Sequence, residues 1–457
     1  MRAPLMATSL LLSTLAWAKG EGGGSDVPCE NPLSPRAYSV RFPADAGSPL
    51  VLATNFGLLV SHDDGATFEL ICPEAIERFT VDNGLQALYS TPTMAVMPGG
   101  VLLVTRWPNG LLRSPDGCAW EIVDDPIPSA RAVSSLTLSQ TGTLFTSFST
   151  GSDPLGIAQS PDGLSFTLTS AQSNSLAYDG VMAADDGTTL YGITTQFAAT
   201  TTQTVIRSTD TGGNWTPMSS YDTVKVSLGS IDALDEMRLL LRQRGSVVCA
   251  VTDTLLLSED GGASTTPIAT LEKDPLTGAI FRPGGEIWIA SMQAGVAVSS
   301  DNGQNWAPAA GGPTRARCLA GDADSVIACL PALDPTLGLV AITRNEGASW
   351  QPLVTWENVI GSPACLADTC ATHWQKMQNS WIDPVEIPDG GNDGLRFDMG
   401  DGVEGEGETP GRNGCGCAIG SSPRLASASG WLLALVLCQR MARAMRRRKS
   451  STSASSA

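Results

Sequence analysis

The chain is rich in carboxylates and poor in the other groups from which catalytic sites are built: 46 Asp and Glu stand against two histidines and five tyrosines in 457 residues. Paired carboxylates can hydrolyse glycosidic bonds, but their pairing is set by the fold rather than by sequence spacing. With only His62 and His373 present, a His-based triad or metal site lacks ligands, and no metal or cofactor is expected. One pattern does recur seven times, at intervals of 41 to 53 residues: Ser or Thr, two residues later Asp or Asn, then Gly, then usually an aromatic. Its polar members are Asp63, Asp116, Asp162, Asp210, Asp260, Asp301 and Asn345. Gly65, Gly212, Gly303 and Gly347 follow in four copies, and Trp215, Trp306 and Trp350 end three of them. The second and third copies lack one residue before Gly, and the fifth has Thr265 where an aromatic belongs. A catalytic group has no reason to recur seven times, whereas a turn does. In such a turn the carboxylate accepts backbone N–H bonds, Gly supplies a positive φ and the aromatic packs beside the neighbouring sheet.

Each copy follows two short apolar runs that read as strands. The first runs are Val51 to Thr54, Leu102 to Thr105, Leu144 to Ser147, Leu190 to Ile193, Val247 to Ala250, Ile287 to Ala290 and Val326 to Cys329. The second lead directly into the turn, from Gly57 to Val60 in the first unit to Leu339 to Ile342 in the last. With one strand before and one after, each unit of about 47 residues holds a four-stranded antiparallel blade. In the first unit these would be Tyr38 to Phe42, Leu50 to Thr54, Gly57 to Ser61 and Phe68 to Cys72. The expected fold is all-β: a single seven-bladed β-propeller over 37–360, then a disordered acidic tether and a short C-terminal hydrophobic segment. Val27 to Pro35 or Trp374 to Ile382 would supply the latch of the ring.

The turn resembles the Asp-box, or BNR repeat, of sialidase-like propellers, of the sortilin ectodomain and of photosystem II assembly factors. The resemblance implies turns on the rim opposite the ligand face. It also names what a sialidase would need: three arginines gripping a carboxylate, a Tyr nucleophile paired with Glu, and an Asp acid/base. Arg41-Phe42-Pro43 is a faint echo of that family's first arginine motif, but Val40 precedes it and Phe42 replaces Ile. None of Tyr38, Tyr89, Tyr178, Tyr191 and Tyr221 lies in a nucleophile context, and no catalytic residue is assigned. Trp107, beside Arg106, lies between two strands of the second unit, where a ring stacks on a sugar or packs between blades.

The formal charge is −18, and setting aside Arg2 and the eight bases of residues 411–457 leaves −27 on residues 3–410. Such a surface repels phosphate backbones, so no nucleic-acid partner is expected. Residues 1–18 read as a signal peptide: Arg2, an apolar run from Leu5 to Leu15, then Ala16-Trp17-Ala18. Residues 19–36 form a lead-in. Eight of the 11 cysteines lie between Cys29 and Cys370, a disulfide candidate set in an exported chain. Cys318 with Cys329 on one hairpin, and Cys365 with Cys370 in a small loop, are the expected bridges, the latter within a 361–383 extension.

Residues 384–413 are a Gly and acid mixture with little to bury, which reads as a flexible tether. Its Asp389, Asp393, Asp398 and Asp401 match no EF-hand spacing. Over 414–449 come Cys415 and Cys417, an apolar stretch ending Trp431 to Cys438, and a cluster from Arg440 to Lys449, before a Ser-rich tail at 450–457. A short apolar segment stopped by bases obeys the positive-inside rule. This order resembles the MYXO-CTERM sorting signal of myxobacterial surface proteins. The resemblance implies a sorting protease acting near the Cys motif and a lipid on Cys415 or Cys417; a plain membrane anchor is the alternative. The expectation is therefore an exported, surface-anchored monomer that binds a protein or glycan, with a sialidase-like glycoside hydrolase as the alternative.

Overall fold

Leu50–Thr54 and Gly57–Ser61 are buried along their whole length on both faces. A sheet with such central strands must be covered on each side, and the way to cover every sheet with another is to close the sheets into a ring. The computed structural model describes residues 35–382 except 46, 77–92, 106–109, 124–126, 128–131, 150–154, 174–175, 198–199, 223 and 246–251. The leader, Arg106, Trp107, the tether, Cys415, Cys417 and the remaining tail lie outside the described residues.

The chain is a seven-bladed β-propeller. Each blade is four consecutive antiparallel strands in chain order. The first strands, Ala37–Arg41, Met94–Val96, Ala132–Leu138, Leu176–Ala183, Lys225–Asp232, Leu276–Phe281 and Cys318–Gly321, line the central channel. Outer strands are wetter, as in Thr216–Asp222, with no fully buried position. The core is divided into seven apolar clusters, each built from two adjacent blades. The seventh interface, between the last blade and the first, sets Ile327, Val340 and Ile342 against Leu50, Leu52 and Leu59.

Of the two expected latches, the first lies outside the described residues over Val27 to Ser34, and Trp374 to Ile382 belongs to a helix that follows a closing strand the sequence reading did not name. Val359–Gly361 adds a fifth strand, parallel to Phe68–Ile71, on the outer edge of blade 1. The Phe68 amide donates to the Asn358 carbonyl at 2.8 Å, and the Asn358 amide donates to Leu353 O at 2.8 Å. A helix, Ala367–Ile382, follows, and Trp374 stacks on Trp356 with centroids 5.1 Å apart. This clasp is covalent. Cys370 bonds Cys72 of blade 1 and Cys365 bonds Cys118 of blade 2. The expected Cys365–Cys370 bridge is therefore wrong: Cys365 lies in a 3-10 turn, Ala364–Leu366, ahead of the helix that carries Cys370, and the two sulfurs reach different blades. Cys318 and Cys329 face each other across one hairpin and are bonded.

A second correction concerns blade 5. Its second strand is Asp235–Gly245, not Val247 to Ala250, which lies outside the described residues. The apolar residues Leu239, Leu240 and Leu241 form the strand centre, and the strand then continues through Arg242, Gln243 and Arg244.

Candidate functional site

The seven recurring turns join third to fourth strands, all on one rim. In the sixth, Ser299 Oγ donates to Asp301 Oδ1 at 2.8 Å, and the Asn305 amide donates to the same oxygen at 2.8 Å. The Gly303 amide donates to Ser299 Oγ at 2.8 Å. Asp63, Asp116, Asp162, Asp210 and Asp260 are bonded alike, and these bonds hold all six carboxyls below the ordinary Asp pKa. Asn345 accepts the Ser349 amide at 2.9 Å with a neutral oxygen. Each turn also ties neighbouring blades. A Cβ on Gly303 would lie 2.6 Å from Ile268 Cβ of blade 5, and Trp306 Nε1 donates to Ile268 O at 3.0 Å. The Ser or Thr hydroxyl and the Asp or Asn side chain that define each turn are engaged within the fold.

The central channel encloses a cavity of about 920 Å³. Its wall is uneven. Blades 3 to 5 contribute Ser134, Ser135, Thr137, Asp179, Lys225, Ser227 and Ser230, whereas blades 6 and 7 contribute Ile280, Leu319 and Ala320. Part of this polarity is structural: Ser135 Oγ accepts the Val181 amide at 2.8 Å, tying blade 3 to blade 4. Arg41 does line the cavity, but its Nε donates to Met94 O at 2.8 Å and its Nη1 to Val40 O at 2.9 Å. Burial lowers its pKa, though a guanidinium keeps its proton in proteins. No tyrosine or glutamate is among the described lining residues. Tyr191, whose OH donates to Glu236 O at 2.7 Å, is pushed up to about 12, chiefly by burial. Tyr178 is likewise raised by burial. His62 sits in the first turn, and His373 lies 3.3 Å from Glu74 on the clasp.

At the rim opposite the turns, blades 4 and 5 hold two side chains in corresponding places. Gln203 Oε1 accepts the Val226 amide of blade 5, while its Nε2 donates to Asp179 at 2.8 Å. Asp253 Oδ2 accepts the Leu276 amide of blade 6 at 2.9 Å. Asp253 is fully buried and carries two guanidiniums: Arg244 Nε reaches Oδ1 at 3.0 Å and Arg242 Nε reaches Oδ2 at 3.1 Å. Burial raises the Asp253 pKa, and Arg244 pulls it back. Lys225 lies directly across the strands from Arg244 and opens onto the cavity. The sequence reading missed Lys225, Arg242, Arg244 and Asp253, having placed the second strand of this blade at Val247 to Ala250, beyond both arginines. Their alternation in Arg242-Gln-Arg244 is the signal that was available.

No protein-family model matches the chain, and no curated protein matches it. Among solved structures it is similar to YCF48 bound to D1 peptide, at 15% identity and a TM-score of 0.41, covering 57% of this chain and 80% of that one. It is similar to YCF48 from Cyanidioschyzon merolae at 14% identity and TM-score 0.41, covering 65% and 93%. A GH74 xyloglucanase from Xanthomonas campestris matches at 15% identity and TM-score 0.34; the match covers 72% of this chain and 65% of that one, just under two thirds of its length. The propeller assignment rests on the strand pairing itself.

Proposed function

We propose that the propeller is a binding module that engages a protein or glycan ligand at the channel mouth, on the rim opposite the recurring turns. The observation that carries this reading is the contrast in polar groups. The groups that define the turns are consumed by structural bonds, while Lys225 and Ser227 open onto a cavity of about 920 Å³, a size suited to part of a ligand. The sialidase-like alternative needs three arginines and a Tyr/Glu pair around one centre. Arg41 is the single arginine of the described lining, and two carbonyls engage it.

The turns' bonding supports reading them as Asp-boxes with a structural role. Export is supported by the leader and by the pairing of all six described cysteines, which suits an oxidising compartment. Surface anchoring through Cys415 or Cys417 rests on the sequence of the tail. Glycan-array and pull-down experiments with the full chain test the binding reading: saturable binding of a glycan or protein supports it, and glycoside hydrolysis without a stable complex would replace it by the enzyme. For the anchor, mass spectrometry of the mature C-terminus decides, because a retained Arg446 to Lys449 refutes processing at the Cys motif.

A further inference from the structure

Blade 5 carries more positive charge than its fold requires. Three cations, Lys225, Arg242 and Arg244, lie on one sheet face around a single buried carboxylate, Asp253. Two positive charges are therefore in surplus, in a chain whose formal charge is −18. One bidentate guanidinium is enough for a carboxylate. Lys225 and Arg244 are directly opposed across the strands, an arrangement that repels. Among the described residues Lys225 makes no ion pair.

The structural task of Asp253 does not call for any of this. Gln203 performs the same tie to the next blade with a neutral amide and no cation. Nor do other acids balance the surplus. Asp179 accepts Gln203 Nε2, and Asp274 accepts the Ser291 hydroxyl at 2.8 Å and the Gln293 amide at 2.8 Å. Glu272 pairs with Thr252, one position from Asp253, and so lies on the other sheet face. Arg244 is 41% exposed and Arg242 24% exposed, so both have donors to spare toward solvent.

We propose that Lys225, Arg242 and Arg244 form an oxyanion site at the channel mouth, taking a phosphate or carboxylate group of the ligand. Each guanidinium uses Nε and Nη2 on Asp253, which leaves Nη1 of both for the ligand's oxygens. Asp253 orients the two forks from beneath, and Lys225 adds its ammonium from the cavity side. The site deepens the binding reading above and rests on it.

The test is calorimetric titration of the full chain with sodium phosphate, and separately with sodium acetate, at ionic strength matched by sodium chloride. Saturable phosphate or acetate binding is expected, and the stronger of the two identifies the oxyanion class. Lys225→Glu pairs with Arg244, so it folds, and it should weaken binding about tenfold. Arg244→Gln should weaken it severalfold, whereas Asp301→Asn on the turn rim should leave it unchanged. Absence of saturable binding above chloride, or equal affinity in Lys225→Glu, overturns the site. A glycan or protein ligand that still binds Lys225→Glu as tightly as the parent removes the oxyanion site and keeps the binding module; loss of every ligand from the parent removes the module itself.

Discussion

The two rims of the ring are built from the same strands and differ in almost everything else. On one rim, the turns joining first to second and third to fourth strands carry 15 acids and two bases. On the other, the described residues of the segments joining second to third strands and successive blades carry two acids, Glu74 and Asp274, and three bases, Lys273, Arg315 and Arg317. The first rim repeats one device seven times and saturates it with internal bonds. On the second, the described blades 4 and 5 make one tie in two chemistries, neutral at Gln203 and charged at Asp253. Repetition marks what builds the ring, and departure from repetition marks where it can act. The acidic rim also sets the direction of the field: an anionic ligand is repelled from the turns and favoured at the cations of blade 5.

Changes to the clasp should have the largest effect, and they should act on stability alone. Cys72→Ser with Cys370→Ser removes a bridge spanning 298 residues and should cost about 2–5 kcal/mol, read by denaturant unfolding, with ligand affinity kept at low temperature. Next, Gly303→Ala forces a Cβ toward Ile268 at a φ of 80° and should cost about 2–4 kcal/mol. If it instead altered binding with no loss of stability, the division of labour between the rims would fail.

A smaller effect is expected from the carboxylates themselves. Asp301→Ala should lower the melting temperature by a few degrees, whereas Asp301→Asn should be nearly silent, since Asn345 fills the same role in blade 7. The six turn carboxyls have pKa values depressed in the folded state, so their contribution is present above the unfolded value of about 4 and is lost as pH falls through the folded values. Stability should thus decline below about pH 4, and less steeply in Asp301→Asn; a steeper decline would contradict the structural role. The smallest effect is at Lys225: Lys225→Gln should leave the melting temperature within a degree or so of the parent while it weakens phosphate binding.

The turns and most strands were legible because they recur, and repetition makes weak local signals add. Leu50–Thr54 and Gly57–Ser61 were readable to the residue from apolar runs bounded by Gly and polar clusters. What failed were features without a repeat. The second strand of blade 5 breaks its apolar run with Arg242 and Arg244, whose acceptor Asp253 comes from the next strand, so Val247 to Ala250 looked the better strand. The clasp pairs Val359–Gly361 with residues almost 300 positions earlier, and it sends Cys365, ahead of the helix, and Cys370, on it, to different blades. Both depend on which distant elements ring closure brings together, and no local spacing records that.

The central claim, that ligand engages the rim opposite the turns, is tested most directly by hydrogen–deuterium exchange of the full chain with and without the ligand obtained from the glycan array or pull-down. Slowed exchange at 273–275, 292–294 and 309–317, around the blade 5 to 7 mouth, is the predicted result. Slowing confined to the turns at 62–67, 209–215 and 300–306 would contradict it.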